Sequence, residues 1–395
     1  MNIRHHIFAV AAAAMLTTGA YAADIKVGVI GPYTGGSSSM GVSMRDGVRL
    51  ATKEINAAGG INGNKIVLVE RDDEAKNERG VQISQELINN EKVVAALGYI
   101  NTGVALASQR FFQDAKIPVI NNVATGSLIT SQFPNAPENY IVRTSAADNI
   151  QAPMIAKEAV EKRGLKKVAI LADSTNYGQL GREDMEKALK TYGVTPVAVE
   201  KFNIGDVDMT SQLLKAKNAG AEVVLTYAIG PELAQIANGM GKLGWKKPMI
   251  GSWTLSMASF IDTSGKNGNG ATMPETFIQV GTTPKRKAFI EAYLKEFKPK
   301  NGVIASPVSA AQGYDSVYIL AAAIKQAGGT DGPKILGALE NLNAPIDGVV
   351  MTYNKPFSKT NHEAIATKDV VMGVVENGRV EFLNAEDATK AAKKK

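Results

Sequence analysis

From residue 25 onward, short β-branched runs alternate with helix-length amphipathic segments, and this alternation constrains the fold more than any other feature of the chain. Residues 25–30 read as a strand, and Met44, Val48, Ala51 and Ile55 recur at three- and four-residue spacing, which predicts a helix with one apolar face. The stretch "AAGGINGNK" (57–65) stops that helix at Gly59 and Gly60 and turns into a strand over 66–69. A strand at 93–97, a helix near 104–114 and a short strand at 118–120 repeat the unit. Apolar strands separated by helices predict a parallel sheet covered on both faces.

After "YIVRTSAADN" (140–149) a second set begins, with helices predicted over 150–163, 180–192, 209–219 and 231–243 and strands over 168–171, 197–201, 223–227 and 249–251. The glycine-rich "TSGKNGNGAT" (263–272) breaks the pattern, and past the apolar run 277–280 long helices return at 286–297 and 309–327. The expected architecture is α/β, with two doubly wound parallel-sheet lobes. The first holds residues 23–144 and 279–350, and the second 145–278 and 351–395. Ligands of open α/β sheets bind beyond the carboxyl ends of the strands, so two such lobes face to face make a cleft.

The N-terminus sets the compartment. Arg4 and two histidines precede an apolar run at 7–16, which ends in the small-residue pattern Ala20-Tyr21-Ala22. That is the form of a secretory signal peptide, residues 1–22, cut before Ala23. No other run is long enough for a transmembrane helix, and with no cysteine there is neither a disulfide nor a lipid-anchor thiol. The expected location is the periplasm of a Gram-negative cell. The net charge of +6 comes partly from Arg4 and the terminal Lys393, Lys394 and Lys395, the last three read as a frayed tail. Scattered lysines with 6% aromatics do not make a nucleic-acid surface.

Catalytic chemistry finds little purchase. His362 is the only histidine beyond the signal segment, so no Cys/His pair and no multi-histidine zinc site can form there. Asp206 and Asp208 leave a carboxylate-dependent hydrolase as a rival reading, although Asp208 before "MTSQLLKAK" suits a helix cap better. Asp72, Asp73 and Glu74 lack the spacing of a calcium loop, and "GVIGPYTGG" matches no nucleotide fingerprint. No cofactor or metal is implied. A receptor's sensing domain would need a membrane span or a DNA-binding head. What remains is "GYINTGVALAS" (98–108), a strand tip opening onto small polar residues and a helix N-terminus, an arrangement that attracts negative charge.

The segments "IKVGVIGPYTG", "GVRLATKEINAAGGINGNKIVLVERDD", "NYGQLG" and "AQGYDSVYILAAAI" resemble the periplasmic solute-binding proteins of branched-chain amino acid (Leu/Ile/Val) ABC importers, the type I Venus-flytrap family. The likeness covers essentially the whole chain after the signal. It implies two lobes joined by crossing strands, a small carboxylate or amino acid closed between them, and delivery by a monomer to an inner-membrane permease. It also implies ligand contacts from Tyr99, Asn101 and Thr102 in "GYINTGVA", from Val123, Ala124 and Thr125 in "NNVATGS", and from Tyr177 in "DSTNYGQLG", with Met40 at the cleft mouth. The same residues also fit plainer roles: Asn101 and Thr102 as helix caps, 121–127 as an ordinary turn, Tyr177 as a surface residue.

The chain departs from its amino-acid-binding relatives in "GSWTLSM" (251–257). They commonly carry an acidic partner for the ligand's ammonium there, and the matching position is Trp253. Ile229 likewise stands where a tyrosine is usual. An ammonium buried without a partner costs several kcal/mol, so such a pocket should favour a carboxylate without an α-ammonium, such as an aromatic or branched keto or hydroxy acid. Three alternatives stay open: Trp253 packs within its own lobe, Glu232 supplies the charge from the neighbouring loop, or the indole face itself holds a cation.

Overall fold

The computed structural model describes residues 24–393. The expected signal segment, with its cleavage point, lies outside the described residues, as do Lys394 and Lys395. The first lobe opens with β1 (Ile25–Gly31), α1 (Ser38–Ala57), β2 (Ile66–Asp72), α2 (Asn77–Glu86), β3 (Ala95–Gly98), α3 (Thr102–Asp114), β4 (Val119–Asn121) and β5 (Ile141–Arg143). Its sheet is wholly parallel in the order β2-β1-β3-β4-β5. β3, β4 and β5 are buried at every residue, which is why they read as apolar runs rather than alternations. The predicted strands and helices are present, while α2 and β5 are additions. β5 lies inside the segment that the sequence pattern reads as a boundary.

The second lobe runs α4 (Asp148–Ala156), β6 (Val168–Asp173), α5 (Asn176–Lys190), β7 (Ala198–Phe202), α6 (Thr210–Asn218), β8 (Val223–Tyr227), α7 (Gly230–Lys242), β9 (Met249–Gly251), α8 (Ala258–Ser264) and β10 (Thr272–Glu275). The chain then returns to the first lobe with α9 (Pro284–Phe297), α10 (Pro307–Ala327) and α11 (Gly332–Leu339), and α10 packs along α1. A two-stranded ribbon of β11 (Ile346–Asp347) and β12 (Thr352–Tyr353) follows, and β13 (Val371–Glu376), β14 (Arg379–Phe382) and α12 (Ala385–Ala392) complete the second lobe.

The second sheet has the order β14-β13-β10-β9-β8-β6-β7. It is parallel from β7 to β10, but β13 runs antiparallel to both β10 and β14, so this lobe carries a mixed sheet. Asn377 and Gly378 join β13 to β14 with φ of 49° and 82°, the left-handed pair that a tight two-residue hairpin turn requires. The glycine-rich tract at 263–272 is absorbed by the end of α8 and the entry to β10, and residues 277–280 form no ladder but lead the chain across to α9.

Residues 352–363, which the sequence reading gives to the second lobe, make their bonds with the first. The Tyr353 hydroxyl donates to Asp315 on α10 at 3.1 Å, and Glu363 pairs with Arg143 on β5. The physical reason is Asp315, fully buried, which also gathers the Val349 and Val350 N–H groups at 2.7 and 2.8 Å and so pins the returning chain to α10. Among the described residues no helix is long and apolar enough to cross a membrane.

Candidate functional site

The carboxyl ends of β1 and β3 feed the N-termini of α1 and α3 in one lobe, and β6 and β8 feed α5 and α7 in the other. These four helix starts face one another. A Cβ placed on Gly103, in the first turn of α3, would lie 3.0 Å from the Asn176 Oδ1 of α5, so the two helix starts approach each other closely. A Cβ on Gly36 would come within 3.6 Å of Pro231 on α7. Helix N-termini leave N–H groups unpaired and carry partial positive charge, so their convergence favours an anion.

At the hinge end of this interface lies a cavity of about 10 Å³, room for roughly one water. Thr125 from the first lobe, Trp253 and Gln151 from the second, Val308 and Gln312 from α10, and Thr276 from a crossing segment all line it. The Trp253 backbone N–H donates to Gln151 Oε1 at 3.1 Å, and Gln312 Nε2 donates to Thr276 Oγ1 at 2.9 Å. The Trp253 indole Nε1 and the Gln312 Oε1 are buried with no partner, one donor and one acceptor. Trp253 thus faces the space between the lobes, and Gln151 fixes its backbone.

The other expected site residues separate into two groups. Met40, Val123, Tyr177, Ile229 and Trp253 belong to one buried apolar cluster that runs through both lobes. The Tyr177 hydroxyl is 2.5 Å from the Ser252 hydroxyl, and its ring meets Tyr227 edge-on at 5.6 Å. Thr102 is buried, and its Oγ1 accepts from the Gly126 N–H at 3.2 Å, tying α3 to the loop of Thr125. Asn101 Nδ2 donates to Ser37 Oγ at 3.1 Å, and its side chain makes no capping bond to α3. Tyr99 and Ala124 behave differently, since both pack in the first lobe's own core. The Tyr99 hydroxyl pairs with Ser84 at 2.9 Å, and the Ala124 carbonyl is taken by the Ser145 hydroxyl at 2.8 Å.

The rival acidic groups have structural partners. Glu232 accepts from the Gly205 N–H at 2.8 Å, Asp206 from the Asn203 N–H at 2.8 Å, and Asp208 from the Thr210 N–H at 2.9 Å. Asp72 and Asp73 hold the loop after β2 through the N–H groups of Tyr33, Glu74 and Ala75. His362 is buried between the Ile141 carbonyl and Glu340. Among the described residues no group of three or more His, Cys, Asp or Glu could hold a metal ion.

Sequence reasoning missed four positions. Gln151, Gln312 and Thr276 reach the cavity from segments that meet only in three dimensions. Arg143, fully buried, grips Glu363 with Nε at 2.8 Å and donates from Nη1 to the Gly126 carbonyl at 2.7 Å, so it holds the loop that carries Thr125. Gln312 and Arg143 do lie in "AQGYDSVY" and "YIVRTSAADN", but nothing in either segment reveals its reach.

The sequence model described as "Periplasmic binding protein" matches residues 24–379. The leucine-, isoleucine-, valine-, threonine- and alanine-binding protein of Pseudomonas aeruginosa is 28% identical over 336 residues, covering 84% of this chain and 87% of its own. A periplasmic binding protein type 1 from Bordetella pertussis superposes with a TM-score of 0.82 at 26% identity, over 91% of this chain and 100% of that one. A solute-binding protein of a Rhodopseudomonas palustris ABC transporter, in complex with benzoate, superposes with a TM-score of 0.78 over 92% of this chain and 96% of its own. At 21% identity that last likeness speaks to the fold.

Proposed function

Since the chain belongs to the periplasmic binding protein family, we propose that it is the periplasmic substrate-binding component of an ABC importer, which captures a small carboxylated solute by lobe closure and presents it to an inner-membrane permease. The observation that carries this reading is the cavity between the lobes, walled by Thr125 on one side and Trp253 on the other. A ligand that touches both walls shifts the open–closed equilibrium toward closure, and closure is the signal a permease can read. The signal segment at 1–22 supplies export, and the protein acts as a monomer that turns nothing over.

The solute is a carboxylate with an apolar body and no α-ammonium. Trp253 stands where an acidic partner would be needed, its indole offers a flat apolar wall and one N–H donor, and Glu232 is committed to Gly205. Amino acids are the competing class, because the Pseudomonas relative's name is that of an amino-acid binder. Thermal shift and calorimetry with leucine, benzoate, 4-hydroxybenzoate and phenylpyruvate decide between them, with X-ray scattering to follow compaction and chromatography to recover the ligand intact. An acid is expected to bind best and to return unchanged. Leucine bound at sub-micromolar concentration (about −8 kcal/mol or better) with the acids ignored overturns the choice of solute, and a converted product overturns the binding-protein reading.

A further inference from the structure

The second lobe carries a larger hollow, of about 600 Å³, at the end of its sheet opposite the cleft. That volume is in the range of small-molecule pockets. The carboxyl end of α7 and the amino ends of β9 and β10 shape it, whereas Trp253 lies beyond the carboxyl end of β9. Met240, Trp245 and Met249 make an apolar floor that belongs to the second lobe's own core. The rim is pinned in two places: Asn267 Nδ2 donates to Asn238 Oδ1 at 2.8 Å, and the Gly270 N–H donates to the Val375 carbonyl at 2.9 Å.

Four cations line this hollow and, among the described residues, no acid does: Arg163 from the segment between α4 and β6, Lys246 and Lys247 before β9, and Lys266 before β10. Arg163 is held in place, its Nε donating to Glu158 at 2.8 Å and its Nη2 to Thr272 Oγ1 at 3.0 Å. The three lysines are exposed, and among the described residues their ammonium groups have no hydrogen-bond or ion-pair partner. Trp245 is only 7% exposed, yet its indole N–H likewise has no partner there. A plainer role would be to offset the partial negative charge at the carboxyl end of α7. Two of the carbonyls at that end are already taken, however, Met240's by the Trp245 backbone N–H at 2.9 Å and Leu243's by Lys217 Nζ at 3.1 Å.

We propose that this hollow is a second binding site, for a small oxyanion carrying two or more negative charges, held by Arg163 and the three lysines with the Trp245 N–H as a fixed donor. A concave bowl encloses a small molecule, whereas a flat membrane surface would leave its floor uncovered. One exposed cation gains little from a lone carboxylate in water, so four acting together call for several charges. Ammonium groups are point charges without a directional fork, and they serve phosphate and carboxylate oxygens alike. The site lies at the far end of the strands from the cleft and is independent of the solute proposed for it.

Calorimetry of the mature protein at low ionic strength, with pyrophosphate in one arm and citrate in the other, tests the site and separates the two chemistries. At least one of them is expected to bind saturably at one per chain and to raise the melting temperature. Lys246→Gln with Lys247→Gln should weaken that binding about tenfold. Trp245→Phe, which keeps a ring and loses the N–H, should weaken it about threefold. Lys65→Gln with Lys334→Gln removes the same charge from the first lobe and should bind as wild type does. So should Thr102→Ala with Thr125→Ala, in which only the cleft is altered. Unchanged affinity in the Lys246/Lys247 variant overturns the proposal, as does an isotherm that never saturates, which marks an adventitious ion only. An equal loss in the first-lobe lysine variant would show diffuse attraction, and a loss in the threonine variant would put the anion in the cleft; either overturns it. Binding to phosphatidylglycerol vesicles with neither small anion bound does the same, since the face would then be a membrane contact. The lysine variants decide alone if Trp245→Phe does not fold, and the solute reading is judged separately, on the acids and leucine.

Discussion

The two walls of the cleft arise from the same strand-to-helix geometry but carry opposite chemistry. At the strand ends of the first lobe stand Ser37, Asn101, Thr102 and Thr125, while at those of the second stand Tyr177, Tyr227, Ile229 and Trp253. Both walls present helix N-termini, so backbone geometry alone does not tell them apart. Under the proposed function the difference is a division of labour: the hydroxyl wall would orient a charged head, and the aromatic wall would cover an apolar body once the lobes meet. Neither suffices alone. A hydroxyl bonded to a charged group contributes roughly 1.5–3 kcal/mol, and an aromatic face contributes about 25 cal/mol per Å² only when closure removes it from water.

The largest effect should come from stripping the polar wall. Thr102→Ala combined with Thr125→Ala is expected to cost roughly 3–6 kcal/mol of ligand binding, a hundredfold or more in Kd by calorimetry. Thr102 also anchors the Gly126 N–H, so the melting temperature should fall slightly, by the equivalent of about 1 kcal/mol. Unchanged affinity would put the head of the ligand elsewhere and erase the contrast between the walls.

A smaller change should follow from giving the aromatic wall a charge. Trp253→Glu restores an acidic partner at that position, and competition binding should shift the preference from acid toward leucine by about tenfold or more, or ~1.4 kcal/mol. A variant that gains nothing for leucine would show that the tryptophan does not set the choice of solute.

Much of this division was legible in the sequence, because each wall follows immediately after an apolar strand and its residue types can be read in order. Thr125 and Trp253 were found that way, and they do meet in the cavity. Tyr99 was misread for a related reason: it follows directly on β3, but its side chain turns to Ser84, behind the sheet. The hinge residues are not legible, since Gln151 on α4, Gln312 on α10 and Thr276 on a crossing segment come together only in three dimensions. The β13–β14 hairpin is another case. "ENGR" carries the Asn-Gly turn signal, but its antiparallel partner β10 lies about a hundred residues earlier, hidden beside a glycine-rich tract.

The walls differ again in how they bury charge, and this yields the smallest prediction. In the first lobe the buried Arg143 is paired with Glu363. In the second, Glu275 at the end of β10 is buried with both carboxylate oxygens unpartnered. The Ser256 hydroxyl lies near it and favours its charged form, but donates to the Trp253 carbonyl at 2.7 Å. Burial therefore dominates and holds the Glu275 carboxyl well above its ordinary range. An acid whose folded pKa is raised leaves stability unaffected below its unfolded pKa of about 4.3 and lowers it as pH rises above that value, because only the unfolded chain ionises freely. Glu275→Gln removes that ionisation and keeps the shape. It should match wild type near pH 4 and melt a few degrees higher near pH 8, where about 1 kcal/mol corresponds to ~2–4 °C for a domain of this size. Thermal denaturation at both pH values checks it, and a variant that melts lower at the alkaline end would mean that Glu275 is ionised and paired, making the second lobe's handling of charge the same as the first's.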